Sequence, residues 1–264
     1  MTSDKIITLT TDFGGSEIYA ALVKSVIWRI SKTAKIIDVT HSLNAFDILS
    51  ANYFLYSLLN NFPKNTIHIV SVDSKNCDAN KEIIIIKINE QYVICANNGI
   101  ATLALQNFTN YSAYKLSLKN IAKLTKTDLC INFLARDAIA VAAGILANNR
   151  KKIFEITDKN KIEIIELKEL KVIKRDNCVK CIVVHIDKFG NIITNYKIPK
   201  NDFFKIQHLK IKNLKISEKA ETYNEIKKIA MLIGDSGLLE ISASYKKASK
   251  LLKSNIGDSI EIFY

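Results

Sequence analysis

The sequence predicts an α/β protein: an amino-terminal α/β domain with a mostly parallel sheet, followed by a small carboxy-terminal antiparallel β-barrel domain. Up to about residue 150, strand-like and helix-like segments alternate, which is typical of parallel sheets. Beyond about residue 177, short alternating strands follow one another between turns, which favours a barrel. Hydrophobic residues make up 48% of the 264 residues and charged residues 24%, a balance that supports packed cores and argues against disorder.

The amino-terminal segments predict strands and helices in turn. Residues 5–11 are rich in β-branched side chains and predict a buried strand. From Ile18 to Ile30 apolar residues recur every three to four positions, which predicts an amphipathic helix. We expect further strands at 35–39, 66–72, 83–88 and 92–95, and further helices at 47–59 and 138–146.

The pattern changes near residue 148. The stretch 151–176 is rich in charged residues, and we expect it to link an α/β domain at 1–150 to a β-barrel domain at 177–264. The strands expected in the second domain are 181–186, 192–194, 209–216, 229–233 and 259–263.

The chain is strongly basic, with a formal charge of +12. Such a charge is compatible with nucleic acid, but only four of the basic residues are arginine, the residue best suited to phosphate and guanine. The lysines are scattered and are not interleaved with aromatic residues. We therefore expect a solvated lysine surface, and nucleic acid is not the favoured partner.

No apolar run approaches the length of a membrane helix, and the first residues lack the basic and apolar regions of a signal peptide. Five cysteines, an odd number, are best interpreted as reduced thiols. The expected location is therefore the cytoplasm, with no membrane partner.

Metal and nucleotide motifs are weak or missing. Cys178 and Cys181 have the spacing of zinc ligands, but no second ligand pair accompanies them. On a strand, an offset of three directs the two side chains to opposite faces, which favours structural thiols. No Gly-x-Gly-x-x-Gly fingerprint and no phosphate-binding loop ending in Gly-Lys-Ser/Thr is present. We expect no metal and no cofactor.

Asp12 follows the first predicted strand, within Thr11-Asp12-Phe13-Gly14. Ligands bind at the carboxyl ends of strands in α/β sheets, where a carboxylate can accept hydrogen bonds from two ribose hydroxyls. The alternative is that Asp12 caps the following helix.

A second segment, residues 187–195, ends a predicted strand with a carboxylate, an aromatic ring, a glycine and two carboxamides. Asn191 offers a donor and an acceptor to an adenine edge, and Phe189 offers a face to the base. The alternative is an ordinary turn with a polar cap.

Together the two segments resemble the family of S-adenosylmethionine (SAM) hydroxide adenosyltransferases, which includes fluorinating and chlorinating enzymes. The resemblance covers nearly the whole chain and rests on seven short sequence segments that occur in the same order as in the family. These are Thr11–Gly14, Ile37–His41, Ser71–Asp73, Asn97–Gly99, Phe133–Asp137, Asp187–Asn195 and Asp235–Ile241.

The resemblance implies a homotrimer that binds SAM or adenosine between one subunit's first domain and a neighbour's second. Asp12 would hold the ribose hydroxyls, and Phe189 and Asn191 would contact adenine. Asp187 and Ser236 would hold the amino and carboxylate ends of methionine. Water would then displace methionine from the C5′ carbon of the ribose.

The family's water-holding aspartate, arginine and histidine are only partly present. Asp73 matches the aspartate, whereas Asn80 occupies the arginine position and Leu134 the histidine position. Leucine can neither accept a proton nor orient water. Lys81 and His41 are the candidates to orient water instead.

Three function hypotheses follow. The first is a SAM hydrolase that forms adenosine and methionine, with activity that is weak or lost because the triad is degenerate. The second is a non-catalytic protein that binds SAM or adenosine, since the residues on the adenosine side are kept. The third and weakest is a lysine-driven nucleic-acid binder, whose affinity would fall steeply with salt.

Overall fold

The computed structural model describes residues 5–73 and 82–264. The chain divides into two compact units, Met1–Glu166 and Leu167–Tyr264. The boundary between the units lies within the stretch expected as a linker. Within the described ranges, no helix is long and apolar enough to cross a membrane.

The first unit contains strands and helices in alternation. Its strands are β1 Ile6–Thr11, β2 Lys35–Thr40, β3 Ile67–Ser71, β4 Ile83–Ile88, β5 Gln91–Ala96, β6 Tyr111–Leu116 and β7 Thr157–Lys161. Its α-helices are α1 Tyr19–Ile30, α2 Ile48–Asn61, α3 Thr102–Asn107, α4 Leu118–Thr125, α5 Ala140–Asn148 and α6 Ile153–Ile156. Short 3-10 turns lie at Ile131–Phe133 and Arg150–Lys152, and a π-helical turn at Ala135–Ile139 leads into α5.

The strands of the first unit form one sheet in the order β2-β1-β3-β5-β4-β6-β7. The neighbours β2, β1, β3 and β5 are parallel, whereas β4 runs against β5 and β6, and β7 runs against β6. Among the described strands, five therefore run in one direction and two in the other. The predicted mostly parallel sheet is confirmed.

Both faces of this sheet are covered by helices. The run Ile83–Ile86 shows how the sequence supports this, because alternate side chains of a strand point to opposite faces. Ile83 and Ile85 join the core cluster with α1 and α5, whereas Ile84 and Ile86 join the cluster with α2. A strand buried on both faces has a continuous apolar run instead of an alternating pattern.

A polar network crosses the centre of the sheet at His68, which is fully buried. The side-chain nitrogen of Gln91 donates to the carbonyl of Leu59 at 3.0 Å, so its oxygen accepts from His68 Nε2 at 2.6 Å. His68 Nδ1 then accepts from the hydroxyl of Thr8 at 2.8 Å. Burial lowers the pKa of His68 to about 4, which keeps the ring neutral.

Helix α1 carries the single tryptophan of the chain, Trp28. Its side chain is half-exposed, and its indole nitrogen lies 3.4 Å from the carbonyl oxygen of Ala34. The indole therefore spans the connection between α1 and β2.

The second unit is an antiparallel, barrel-like sheet. Its strands are β8 Ile173–Arg175, β9 Cys178–Ile186, β10 Ile192–Lys197, β11 His208–Ile211, β12 Leu214–Ile216, β13 Ile229–Ile233, β14 Leu238–Ala243 and β15 Ser259–Phe263. Two short helices, α7 Lys200–Phe203 and α8 Ala248–Leu251, and 3-10 turns at Lys168–Leu170 and Tyr223–Glu225 complete it. The strand order is β12-β11-β15-β9-β10-β14-β13, and β8 also pairs with β9. The predicted antiparallel fold is confirmed.

The second unit differs from the expected strands at one position and places the two paired-spacing cysteines on a strand. The single strand expected at 209–216 is wrong: residues 208–216 form the hairpin of β11 and β12, which turns at Lys212 with a φ of 54°. Cys178 and Cys181 lie on β9, as expected for thiols on a strand. Cys181 is buried, and burial raises the pKa of its thiol to about 12.

Candidate active site

The candidate residues of the first unit follow the carboxyl ends of its parallel strands. Asp12 follows β1, His41 follows β2, Asp73 lies two residues beyond β3, and Asn98 lies two beyond β5. Thr11 pairs with Ser71, and Val70 pairs with Cys95. The strand register therefore orders these four residues along one sheet edge as His41, Asp12, Asp73 and Asn98.

Asp12 is half-buried, and its Oδ2 accepts a hydrogen bond from the backbone nitrogen of Phe46 at 3.1 Å. Helix α1 begins only at Tyr19, after Ile18 as the N-cap, which provides no side-chain cap. The alternative that Asp12 caps this helix is therefore wrong. Phe46 has a φ of 66°, a left-handed conformation that costs a bulky residue on the order of 1 kcal/mol. In this conformation the amide of Phe46 donates to the carboxylate of Asp12.

His41 is tied into a network that supports the Asp12 segment. Its Nδ1 lies 2.9 Å from the hydroxyl of Thr11, and its Nε2 lies 3.1 Å from Oδ1 of Asp38. The carbonyl of His41 accepts from the backbone nitrogen of Gly14 at 2.7 Å. Both ring nitrogens thus face protein groups, so this arrangement does not favour His41 as the group that orients water.

The outer end of this network is charged. Burial alone would raise the pKa of Asp38, but hydrogen bonds from Lys24 and His41 outweigh it and hold the pKa below its usual value. Asp38 is therefore an anion at neutral pH, and it favours the His41 tautomer that carries its proton on Nε2. Nδ1 then accepts from Thr11, whose oxygen accepts from the backbone nitrogen of Phe13 at 3.3 Å.

An aromatic cluster lies next to this segment. The rings of Phe13, Tyr19 and Phe133 meet edge to face, with centroids 5.5–6.1 Å apart. The guanidinium of Arg136 lies 5.2 Å from the Phe133 ring centroid. Leu134, at the position of the family's histidine, packs with Phe13 and Phe133 against the apolar core. Its surroundings are apolar, which suits a leucine.

Asp73 is half-buried at the end of the described segment 5–73. Asn98 supports the backbone beside it, because its side-chain nitrogen donates to the carbonyl of Val72 at 3.0 Å. Asn97 is engaged elsewhere, with Nδ2 donating to the carbonyl of Glu163 and Oδ1 accepting from the amide of Ile165.

Two sequence-predicted positions lie outside the described residues. These are Asn80, at the arginine position of the triad, and Lys81, a candidate to orient water. Residues 74–79, which connect Asp73 to these positions, also lie there. Of the three triad positions, the structure therefore describes Asp73 and Leu134.

The second unit contains an open cleft of about 640 Å³. Its lining includes three of the predicted ligand residues, Asp187, Phe189 and Asn191, and also Tyr223. Phe189 is 65% exposed, and Lys188 Nζ lies 4.9 Å from the centroid of its ring. An exposed ring beside a cleft of this size is suited to stack on a flat base.

The segment from Asp187 to Asn191 is held by its own hydrogen bonds. Asp187 Oδ1 accepts from the backbone nitrogen of Asn191 at 2.8 Å, and Oδ2 accepts from its side-chain nitrogen at 2.9 Å. The carboxamide of Asn191 is thereby fixed before any ligand binds. The pairing also makes Asp187 part of the turn.

Gly190 allows this turn to approach helix α8 closely. Its φ is +86°, and a Cβ there would lie 2.3 Å from the Cβ of Lys247. The carbonyl of Gly190 also accepts from the backbone nitrogen of Ser249 at 2.9 Å. A side chain at position 190 would therefore displace the turn that presents Phe189 and Asn191.

Ser236 is not among the residues that line the cleft. It is buried in the turn that joins β13 to β14, where the amide of Gly237 donates to the carbonyl of Gly234. Its predicted role at the methionine end stays a prediction.

Glu240, a buried acid that contacts the cleft residue Tyr223, was not predicted from the sequence. Its side chain is 3% exposed, and Oε2 accepts from the phenol of Tyr223 at 2.8 Å. Burial, together with the charges of Asp235 and Asp187, raises the pKa of Glu240 to about 7. The signal in the sequence is a single acid in an otherwise apolar strand, Leu238-Leu239-Glu240-Ile241.

The described residues contain no group of three or more His, Cys, Asp or Glu side chains arranged to hold a metal ion.

Comparison with known proteins identifies the class to which the two units belong. Residues 7–157 match the SAM hydroxide adenosyltransferase N-terminal domain, and residues 181–261 match the corresponding C-terminal domain. The (R)-S-adenosyl-L-methionine hydrolase of Methanocaldococcus jannaschii is 34% identical over 275 aligned residues, which cover 98% of this chain and 96% of the relative. The chain belongs to the SAM hydroxide adenosyltransferase family.

Two solved structures have a similar fold. An uncharacterized conserved protein of Thermotoga maritima matches with a TM-score of 0.85 and 25% identity, over 98% of this chain and all of that chain. A conserved hypothetical protein of Thermus thermophilus matches with a TM-score of 0.74 and 20% identity, over the same shares. The second likeness supports the fold alone.

Proposed function

We propose that the chain binds SAM and hydrolyses it slowly to adenosine and methionine. The observation that carries this proposal is the sheet edge at which Asp12, Asp73 and Asn98 follow neighbouring parallel strands. Ligands bind at this edge in sheets of this type. Membership of the family and the name of the Methanocaldococcus relative support the choice of substrate.

The reaction is a displacement at the C5′ carbon of the ribose. The oxygen of water forms a bond to C5′ while the C5′–S bond breaks, and methionine leaves as a neutral thioether that keeps the electron pair. The proton of the water goes to solvent. Because the sulfonium is already a good leaving group, the protein has to align the water and remove competing solvent.

Each proposed residue has a definite task in this reaction. Asp12, oriented by the amide of Phe46, accepts hydrogen bonds from the ribose hydroxyls. Asp73 accepts a hydrogen bond from the attacking water. In the second unit, Phe189 stacks on adenine and Asn191 contacts its edge, while Asp187 and Ser236 serve the methionine end. A homotrimer is part of this proposal, and light scattering of the purified protein tests it.

Slow turnover follows from the position of Leu134. Its side chain packs against the apolar core of the first unit and supplies no group for proton transfer. The loss of one acid–base group lowers a rate by about 10²- to 10⁴-fold. The same observation favours the second candidate, a non-catalytic protein that binds SAM or adenosine.

One experiment distinguishes these functions. Calorimetry with SAM is followed by chromatography of the same sample for adenosine, with the (R) and (S) sulfonium epimers tested separately because the relative is named for the (R) form. Heat of binding with adenosine above the uncatalysed background supports the hydrolase. Binding without adenosine supports the non-catalytic protein, and no binding of either epimer or of adenosine contradicts both.

Two matched variants assign the roles within the first unit. Asp12→Asn is expected to weaken binding of adenosine, whereas Asp73→Asn is expected to leave adenosine binding unchanged and to lower turnover. Equal effects of both variants on adenosine affinity would contradict this division between ribose and water.

A further inference from the structure

Glu240 is an unusual residue for its position in the second unit. It lies within β14, paired with Ile193 of β10 and Leu232 of β13. Its neighbours in sequence, Leu239 and Ile241, belong to the buried core. Burying a carboxyl group costs free energy unless the group has hydrogen-bond partners. The partners of Glu240 therefore indicate its role.

The partner of the Glu240 carboxyl is Tyr223, through the 2.8 Å hydrogen bond from the phenol to Oε2. The other oxygen, Oε1, lies against Gly234. A Cβ at position 234 would lie 2.0 Å from Oε1. The turn after β13 thus leaves room for the carboxyl, and the carboxyl is directed at the phenol.

Tyr223 connects this buried acid to the cleft. It lies on the short 3-10 turn Tyr223–Glu225, the residue is 53% exposed, and it lines the cleft together with Phe189. Exposed rings on three-residue turns have many orientations open to them. The hydrogen bond to Glu240 selects one orientation, with the phenol oxygen turned inwards.

Burial and the charged groups around Glu240 together determine its ionisation. Burial is the largest cause of its raised pKa, the Tyr223 hydrogen bond opposes it, and the charges of Asp235 and Asp187 add to it. His185 lies on the same row of the sheet beyond Ile193, and Lys246 and Lys247 lie on the cleft wall.

The acid on the Tyr223 turn itself is engaged locally. The carboxylate of Glu225 accepts from the amide of Glu221 at 2.9 Å and from the hydroxyl of Thr222 at 3.0 Å. Glu240 is therefore the acid that faces the phenol of Tyr223.

We propose that Glu240 is a positioning residue of the ligand cleft, and that its ionised carboxylate holds the ring of Tyr223 as one wall of the nucleoside site. A hydrogen bond to a charged acceptor is stronger than one to a neutral acceptor. Protonation of Glu240 therefore loosens the wall, and ligand affinity falls as the pH falls through neutrality. This inference rests on the proposed function, since it assumes a nucleoside in the cleft.

The test is calorimetry of adenosine binding between about pH 6 and pH 8.5. Adenosine is suited to this because it has no ionisable group near neutrality and is not consumed. We expect wild-type affinity to fall about fivefold across this range as the pH is lowered. Glu240→Gln keeps an acceptor for the phenol but cannot ionise, so its affinity should be nearly independent of pH and close to the low-pH value of the wild type.

Two further variants sharpen the result. Tyr223→Phe keeps the ring and removes the phenol, so it should also abolish the pH dependence, and it lies on an exposed turn where folding is little affected. Glu261→Gln is the matched control, an exposed strand acid of the same unit, and it should retain the wild-type profile. Glu240→Gln is not expected to lower Tm, because it removes the free-energy cost of keeping a buried carboxylate ionised.

The outcomes separate this inference from the proposed function. A wild-type pH profile in Glu240→Gln or in Tyr223→Phe overturns the positioning role while the nucleoside site stands. Failure of the wild type to bind adenosine overturns the nucleoside site itself. A further measurement needs no ligand: the Glu240 carboxyl is titrated by its ¹³C signal, which is identified by its absence in Glu240→Gln. If the pKa of Glu240 is the same in Tyr223→Phe as in the wild type, the pairing of the two residues is contradicted.

Discussion

Nδ1 of His41 lies 2.9 Å from the hydroxyl oxygen of Thr11, directly beside Asp12. This contact joins the ends of two parallel strands and continues to Asp38 on one side and to the amide of Phe13 on the other. A carboxylate that holds a ribose has to be oriented before the ligand arrives, because ordering it on binding costs affinity. The network around His41 holds the backbone on either side of Asp12, and the amide of Phe46 orients the carboxylate itself.

Replacement of His41 is therefore expected to weaken adenosine binding. His41→Ala removes the acceptor of the Thr11 hydroxyl, and the loss of such a hydrogen bond costs about 1 kcal/mol, or roughly a fivefold change in Kd. Thr11→Val should have a similar effect, and the double variant should be no worse than either single one, since both break the same contact. Additive effects measured by calorimetry would contradict a shared network.

His68 predicts a loss of stability in mild acid. Its pKa is about 4 in the folded chain against 6.5 as the usual value, so the unfolded chain binds the extra proton between these values. The contribution of His68 to the free energy of unfolding is fully present above pH 6.5 and is lost as the pH is lowered towards 4. The free energy of unfolding should therefore fall by about 2 kcal/mol between pH 8 and pH 5.

Urea denaturation followed by circular dichroism at several pH values measures this dependence. His68→Gln lacks the titrating ring and should show a smaller decrease over the same interval, whatever its stability at pH 8. An unchanged slope in this variant would assign the acid sensitivity to other groups.

Leu134→His restores the side-chain type that the resemblance assigns to this position. If proton transfer or water orientation limits turnover, the variant should release adenosine from SAM about 10- to 100-fold faster than the wild type. The cost is a polar ring packed against the apolar core of the first unit, so a lower Tm is expected. Chromatographic assay of adenosine measures the effect, with Leu134→Met as the control for a changed apolar side chain.

Gly190→Ala is expected to destabilise the second unit and to abolish adenosine binding. The added Cβ combines a strained positive φ with a contact of 2.3 Å to Lys247. Gly237 offers the matched control, because its φ is +76° and nothing lies within 4 Å of an added Cβ.

Thermal denaturation should therefore show a larger decrease of Tm for Gly190→Ala than for Gly237→Ala, which carries only the backbone cost of about 1 kcal/mol or more. Equal decreases would mean that the close approach to α8 contributes nothing.

Much of the fold could be predicted from the sequence because its local patterns agree with the final structure. The β-branched run before Asp12 and the helical spacing from Ile18 to Ile30 each yield the expected element. The hairpin at 208–216 was missed because its turn residue, Lys212, is not a residue type that marks a positive φ. Helix α3 and strand β6 were not predicted, because each has six residues and a weak apolar pattern.

The candidate site was predictable in part. Asp187, Phe189 and Asn191 are close in sequence, so a single turn brings them to the cleft. Glu240 was missed because one acid in a strand usually indicates an exposed face, and its burial depends on strands far away in the sequence. The bond between Asp187 and Asn191 likewise depends on a turn geometry that residue types alone do not specify.

The location of the single indole gives the chain a built-in optical reporter. Since Trp28 belongs to helix α1, tryptophan emission follows the amino-terminal unit, whereas tyrosines occur in both units. Fluorescence excited at the red edge and far-ultraviolet dichroism recorded on one sample should therefore reveal whether the two halves melt together or one after the other, without any label.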